Sequence, residues 1–206
     1  MGIKPRNLHR KHFPHPNVVM VPIVRAAPDQ DRFLASTALS TITTNAPITL
    51  TKPWVPGSAV NVVIKVTQAG SEGAPTVTWR VRGKNQFGES QESTKTESEF
   101  TSQATTEVYS EIDEIVITSD TAGLASEVEF GMAGGTGERL GIPVHVTSSV
   151  VGDLGQVVSV VTDAGVVDTD YTIDLTTQSF VPGGSSAMRN AGTFYVKFNF
   201  GAEANP

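Results

Sequence analysis

Apolar side chains recur at every second position along much of this chain. Val77, Trp79 and Val81 alternate with polar residues, and residues 194–200 repeat the pattern near the end of the sequence. A β-strand turns successive side chains to opposite faces, whereas an amphipathic helix repeats every three to four residues. Glycine-containing turns separate roughly ten such stretches. The sequence therefore predicts an all-β fold, with an antiparallel sandwich or barrel-like body.

Composition divides the 206 residues into three regions. Residues 1–38 are predicted to form an extended, basic, proline-rich arm, and residues 39–150 the main β domain. Residues 151–206 are predicted to be a C-terminal β segment that completes or extends the body, because so short a stretch would bury only a marginal core alone. Within the arm, residues 31–35 are interpreted as a loop.

Charge sets the arm apart from the body. The first 28 residues carry five basic residues and no acid, while the rest carries a net charge of −11. Five prolines in the same stretch disfavour helix and favour an extended path. Its apolar residues 18–24 need a partner, because an exposed apolar strand promotes aggregation. We therefore predict that the arm binds a partner protein and that the body folds without residues 1–28. The predicted binding residues are Lys4, Arg6, Arg10, Lys11, Val19, Val21, Ile23 and Arg25.

Several classes of protein are excluded or disfavoured by composition. Cysteine is absent, which excludes disulfides and thiolate metal sites. No apolar run reaches the ~18 residues of a membrane helix. The N-terminus carries basic residues and prolines where a signal peptide has an apolar segment. We expect no membrane partner and assembly in a cytoplasm.

Motifs for catalysis are weak. Residues 134–141 are rich in glycine but lack the lysine of a phosphate-binding loop, and Pro143 follows in place of a helix. His145 is alone on a predicted strand, and the other three histidines lie in the arm. Acidic residues at 89–99 and 107–114 alternate with Ser and Thr, as on a solvated strand face. We predict that the chain is not an enzyme and has no cofactor and no metal site.

The orientation of two strands follows from the alternation. Trp79 is predicted to be a core anchor, with Arg80 on the opposite, exposed face. Along the strand near residue 62, Val60 and Val62 are predicted to share one face, with Asn61 on the other. The acidic body has no basic groove lined with aromatic residues, so we predict no direct nucleic-acid partner.

Five segments share motifs with one family of proteins. They are residues 76–89, with the turn Gly-Lys-Asn-Gln-Phe-Gly-Glu, then residues 108–117, residues 137–143 with Gly-Glu-Arg-Leu-Gly-Ile-Pro, residues 180–182, and residues 189–196. On these motifs, which cover about residues 45–200 in order, the chain resembles the small virion structural proteins of tailed bacteriophages, of the head decoration (cement) type. Ala191 separates Asn190 from Gly192 where the family has Asn-Gly, and the arm departs from the family pattern.

The resemblance implies a non-enzymatic protein that binds the outer capsid lattice and stabilises the head. The implied partners are the major capsid protein and further copies of the chain in a homotrimer, at the capsid surface of the virion. A basic arm would complement an acidic capsid face and speed docking.

Two other functions stay open. A tail or head–tail connector component would also be β-rich and acidic. A carbohydrate-binding or receptor-binding β module could use Trp54, Tyr109 and Tyr195 as exposed aromatic residues for stacking.

Overall fold

A computed structural model describes residues 18–25, 29–50, 58–68, 76–97, 102–121, 126–134, 137–147, 156–184 and 192–199. In these ranges the chain forms β-strands and one short 3-10 helix, Leu39–Thr41, and no α-helix. The strands are β1 Val18–Val24, β2 Leu34–Ala38, β3 Val62–Gln68, β4 Val77–Lys84, β5 Ser90–Glu97, β6 Ser102–Ala104, β7 Glu111–Asp120, β8 Ser126–Met132, β9 Leu140–Gly141, β10 Gln156–Thr162, β11 Val167–Asp168, β12 Thr172–Asp174, β13 Ser179–Val181 and β14 Thr193–Asn199.

The strands form four antiparallel sheets, so the predicted all-β fold is confirmed. Sheet A has the order β1-β14-β10-β11, sheet B β2-β8-β3-β6, sheet C β5-β4-β7 and sheet D β12-β13-β9. The sheets combine strands from across the predicted boundaries. β1 of the predicted arm pairs with β14 of the C-terminal segment, and β9 of the predicted main domain pairs with β13.

The sheets pack in two pairs around one continuous core. Trp79 on sheet C meets Phe130 on sheet B edge to face, with ring centroids 5.5 Å apart. Phe180 on sheet D meets Phe194 on sheet A in the same way at 5.4 Å. All four rings are fully buried. The predicted core position of Trp79 is therefore confirmed, and its burial follows from the strict alternation of β4.

The backbone at Val60 joins the two pairs of sheets. Val60 forms isolated antiparallel bridges with both Tyr109 and Leu140. Its amide donates to the carbonyl of Tyr109 at 3.1 Å, and the Tyr109 amide donates back at 2.7 Å. Next to it, the Gly141 amide donates to the carbonyl of Ala59 at 2.7 Å. Sheets B and D are thus linked through hydrogen-bonded backbone.

Both faces of the chain are buried at Asn61 and Val62. Asn61 is fully buried, and its Nδ2 donates to the carbonyls of Thr105 and Gly137 at 3.0 and 2.8 Å. Val63, on the same side of the strand, is buried as well. The chain segments before β3 and at its start are covered on both faces, whereas simple alternation assumes that one face meets water.

Two glycines allow backbone segments to approach closely. A Cβ atom on Gly131 would overlap the carbonyl of Asp29, to which the Met132 amide donates at 2.8 Å. A Cβ atom on Gly83 would overlap the carbonyl of Glu111. At the first position the approach fixes the chain between β1 and β2 against β8, and at the second it fixes β4 against β7.

Candidate interaction surfaces

The apolar half of the predicted binding segment is a strand of the chain's own sheet A. Residues Val19, Val21 and Ile23 pair with Phe198, Val196 and Phe194 of β14. Ile23 is fully buried and Val21 is half-buried against the core. The run that needed a partner therefore has one within the chain. The predicted binding residues Lys4, Arg6, Arg10 and Lys11 lie outside the described residues.

Arg25, directly after β1, makes a buried ion pair. Its Nε donates to Oε1 of Glu138 at 2.7 Å and its Nη2 donates to Oε2 at 2.6 Å. The two side chains are only 5% and 4% exposed. A bidentate pair of this kind fixes orientation as well as distance. Arg25 thereby joins the end of β1 to the loop between β8 and β9.

Burial governs the electrostatics of this pair. Removal from water raises the pKa of the Glu138 carboxyl above its usual range, and the hydrogen bonds and charge of Arg25 offset this only in part. Deleting residues 1–28 would take away Ile23 and leave Glu138 without its partner. Residues 1–28 are thus not dispensable as a unit, because residues 18–25 belong to the body.

The face of sheet A that points away from the core carries an apolar surface. Residues Met20 and Val24 on β1 are 54% and 53% exposed, and Val167 on β11 is 55% exposed. Pro22, Tyr195, Val161 and Val167 occupy paired positions across the four strands, in that order. We call this surface the apolar face and define it by Met20, Pro22, Val24, Val161, Val167 and Tyr195.

Among the described strands, β1 forms one edge of sheet A, which we call the free edge, and this edge is interrupted by a proline. The Arg25 amide donates to the carbonyl of Gly192 at 2.9 Å, so the odd-numbered residues of β1 direct their backbone groups to β14. The even-numbered residues Met20, Pro22 and Val24 direct theirs to the free edge. Pro22 has no N–H to offer there, which is the position in a sheet that proline tolerates.

The outer face of sheet C has a different chemistry. Arg82 on β4 lies between Glu92 on β5, at 2.5 Å, and Glu114 on β7, at 3.4 Å. The neighbouring Lys84 pairs with Glu111 at 2.7 Å. The hydrogen bond between Arg82 and Glu92 lowers the pKa of the carboxyl and raises that of the guanidinium. Glu92, Glu111 and Glu114 lie on a solvated strand face, as predicted for the acidic residues. Glu97 at the end of β5 is buried, so the prediction is wrong at that position.

The residues of the weak catalytic motifs contact other side chains of the fold. His145 is exposed and stacks on Phe87, with ring centroids 4.0 Å apart. Glu138 in the glycine-rich tract is held by Arg25. Within the described ranges, no three His, Asp or Glu side chains are grouped to hold a metal ion. In the same part of the chain, no helix is long and apolar enough to cross a membrane.

The carbohydrate-binding or receptor-binding hypothesis requires Tyr109 to be exposed, and it is not. It is fully buried, and its hydroxyl lies 2.5 Å from Oγ of Ser93. Burial raises the pKa of Tyr109 to about 12. Of the other two aromatic residues in this hypothesis, Trp54 lies outside the described residues and Tyr195 is half-buried.

The motif segments that carry the family resemblance meet in one place. The Gln86 side chain, in the β4–β5 turn, donates to the carbonyls of Gln178 and Thr177 at 2.8 and 3.3 Å. These two carbonyls lie just before the motif segment 180–182. Leu140 pairs with Phe180, and Gly141 lies so close to the side chains of Val108 and Gln86 that a Cβ would press on both. We call this contact of four motif segments the motif junction.

The β4–β5 turn at the junction is built by Asn85. Its Oδ1 accepts from the amides of Phe87 and Glu89 at 2.9 and 3.0 Å. Gly88 adopts a φ of +80°, which glycine accommodates without strain. The turn therefore has a fixed shape that presents Gln86 to β13.

The chain matches no known family model, and no curated protein or solved structure is similar to it at a significant level.

Proposed function

We propose that this protein is a non-enzymatic virion structural protein of a tailed phage. It binds the outer capsid lattice through the major capsid protein and stabilises the head as a cement protein, with further copies of itself in a homotrimer at the capsid surface. The observation that carries the proposal is the motif junction. Four segments distant in sequence, each resembling the decoration proteins, pack against one another and hold the two pairs of sheets together.

The junction supports a structural role because its residues serve the fold. Gln86 bonds backbone carbonyls, Asn85 shapes a turn, and Phe180 is buried in the core. A protein that works by many weak contacts on a repeating lattice needs a rigid body and gains affinity from avidity. The solvated ion pairs on sheet C favour a surface that faces water.

The basic residues before β1 are proposed to speed docking. Lys4, Arg6, Arg10 and Lys11 precede a body of opposite net charge. Exposed charges act over a Debye length of ~8 Å at physiological salt and steer association more than they add affinity.

The test uses phage heads assembled without this protein. We expect the purified chain to co-sediment with such heads and to appear on their surface in electron micrographs. Attachment at the tail or the head–tail connector instead would assign the other virion role. No attachment to any part of the particle would refute the proposal.

A charge-matched pair of variants tests the docking segment. The variant with Lys4, Arg6, Arg10 and Lys11 changed to Ala is expected to associate more slowly and with weaker salt dependence. Its control exchanges each Lys for Arg and each Arg for Lys at the same four positions, which keeps the charge. Equal rates for both variants at every salt concentration would show that these charges play no part.

A further inference from the structure

We infer that the apolar face of sheet A is the surface that docks on the capsid lattice, against a flat apolar patch bordered by carboxylates. This inference rests on the proposed function and assigns it to a surface. The large hydrophobic side chains that are exposed in the described ranges are concentrated on sheet A and its β10–β11 turn. Met20, Val24 and Val167 belong to the apolar face, Val158 lies at the bulge of β10, and Val166 lies in the turn. Val19 is in the row of β1 that faces the core, and Leu175 lies outside the sheet.

The placement of the apolar face is unlike that of an ordinary solvated strand face. On sheet C, the outward positions of β4 carry Arg80, Arg82 and Lys84, each paired with a carboxylate. On sheet A, the outward positions of β1 carry Met20, Pro22 and Val24. The outer face of sheet C is therefore suited to water, whereas covering the apolar face of sheet A would be energetically favourable.

Charge indicates the chemistry of the partner. The described strands of sheet A place Lys197 among the outward residues, paired with Met20 and Ser159, and they place no carboxylate there. The basic residues 1–17 lead directly into β1. A partner with an apolar patch and acidic groups beside it would complement both the face and the residues that precede it.

The size of the face favours a lattice over a single partner in solution. Four strands about 4.8 Å apart, with a longest strand of seven residues rising ~3.3 Å each, span roughly 400 Å². A stable one-to-one interface buries about 800 Å² on each partner. A face of half that size holds weakly by itself and becomes effective when many copies, or a second contact such as the basic segment, act together.

The free edge of β1 does not offer an alternative mode of docking. Adding a strand needs a row of backbone donors and acceptors, and Pro22 removes the donor at the centre of that row. Packing on the face therefore suits β1 better than the addition of a strand at its edge.

The test compares polar variants that keep the strand. The triple variant Met20→Thr, Val24→Thr and Val167→Thr keeps strand propensity at exposed positions, and its melting temperature should match that of the parent. We expect its binding to heads assembled without this protein to weaken by roughly tenfold or more. The matched control is Leu175→Thr, an exposed apolar residue outside sheet A, which should bind like the parent.

Charge substitutions at one position test the chemistry of the partner. Val24→Asp should bind more weakly than Val24→Lys, because carboxylates on the partner repel the former. Equal binding by both variants would overturn the inference that carboxylates border the apolar patch of the partner.

Three outcomes separate the possible failures. If the parent binds heads and the triple variant binds equally well, the docking face is wrong and the proposed function survives. If sedimentation velocity shows that the triple variant loses self-association while each copy still binds, the face is an interface between copies and the inference is overturned. If the parent fails to bind heads, the proposed function and the inference fall together.

Discussion

Asn61 and Arg139 hold each other across 78 residues of sequence. The backbone amide of Arg139 donates to Oδ1 of Asn61 at 2.9 Å, and the backbone amide of Asn61 donates to the Arg139 carbonyl at 3.4 Å. With its Nδ2 bonded to two further carbonyls, the buried Asn61 side chain connects β3 to the segments around residues 105 and 137. A fully satisfied buried amide of this kind specifies one arrangement of the segments that it joins.

Asn61→Asp is expected to destabilise the protein strongly at neutral pH. The replacement keeps the shape but exchanges the NH2 group, with its two donors, for an oxygen that faces two carbonyls, and an uncompensated buried charge costs about 3–5 kcal/mol. Burial would raise the pKa of the new carboxyl above its unfolded value. The folded state then binds a proton that the unfolded state has released, so stability falls as pH rises through that window and recovers on acidification. Urea unfolding of Asn61→Asp, Asn61→Ala and the parent at pH 4.5 and 7 measures this. An Asp variant that tracks the Ala variant at both pH values would contradict it.

Arg25 and Glu138 are expected to behave as a unit in a double-mutant cycle. Arg25→Met and Glu138→Leu should each lower the free energy of unfolding by about 3–5 kcal/mol, because each breaks the buried, bidentate ion pair while one of its two members stays buried. The double variant should unfold near the parent, since two apolar side chains replace the pair. Chemical denaturation of the four proteins measures the coupling. Additive losses in the double variant would mean that the two residues act independently.

Trp79→Ala should remove a central part of the core. Trp79 is fully buried against Phe130, and truncating such a ring costs about 3–5 kcal/mol. A domain of this size has only ~5–15 kcal/mol of stability, so the melting temperature should drop sharply. The control is Arg80→Ala on the opposite face, which removes only partly exposed ion pairs with Glu92 and Glu114 and should cost about 1 kcal/mol or less. Thermal melts of both variants decide, and equal melting temperatures would contradict the core role of Trp79.

Tyr109 predicts a loss of stability at alkaline pH. Its pKa is raised from 10.0 to about 12 by burial, so between these values the folded state keeps a proton that the unfolded state has lost. Stability therefore falls as pH rises from 10 toward 12, by roughly 1–3 kcal/mol in total. Tyr109→Phe should show a smaller loss over this range, measured by urea unfolding at pH 9.5 and 11.5. Parallel curves for parent and variant would refute the assignment.

The sequence predicted the strands whose pattern is regular. β4 shows the expected alternation of buried and exposed residues, because it pairs on both sides and faces the core on one. The strand β2 was not predicted, because an irregularity in its pairing interrupts the alternation. The pattern of residues 31–35 predicts a loop, yet Leu34 begins a strand that pairs with Phe130. The register then shifts before Thr37 meets Val128. A bulge breaks the period of two on which the prediction depends.

The contacts that fix the site could not be predicted from local patterns. β1 pairs with β14, from the far end of the described chain, and Arg25 meets Glu138 across 113 residues. Period and composition show that Val18–Val24 needs a partner but contain no information about which strand supplies it. Asn61 follows the same rule, because burial on both faces depends on segments that come from elsewhere in the chain.

Pro22 has a consequence for how this protein behaves when many copies are crowded together. An apolar strand at a sheet edge is a template on which identical strands can stack into fibrils. The missing N–H of Pro22 leaves a gap in the middle of that template, between the outward groups of Met20 and Val24. Stored at high concentration, the protein should stay clear and filterable, whereas Pro22→Val should turn turbid and bind amyloid dyes over days. A single proline would then determine how long a concentrated solution resists aggregation, although the folded subunit is otherwise unchanged.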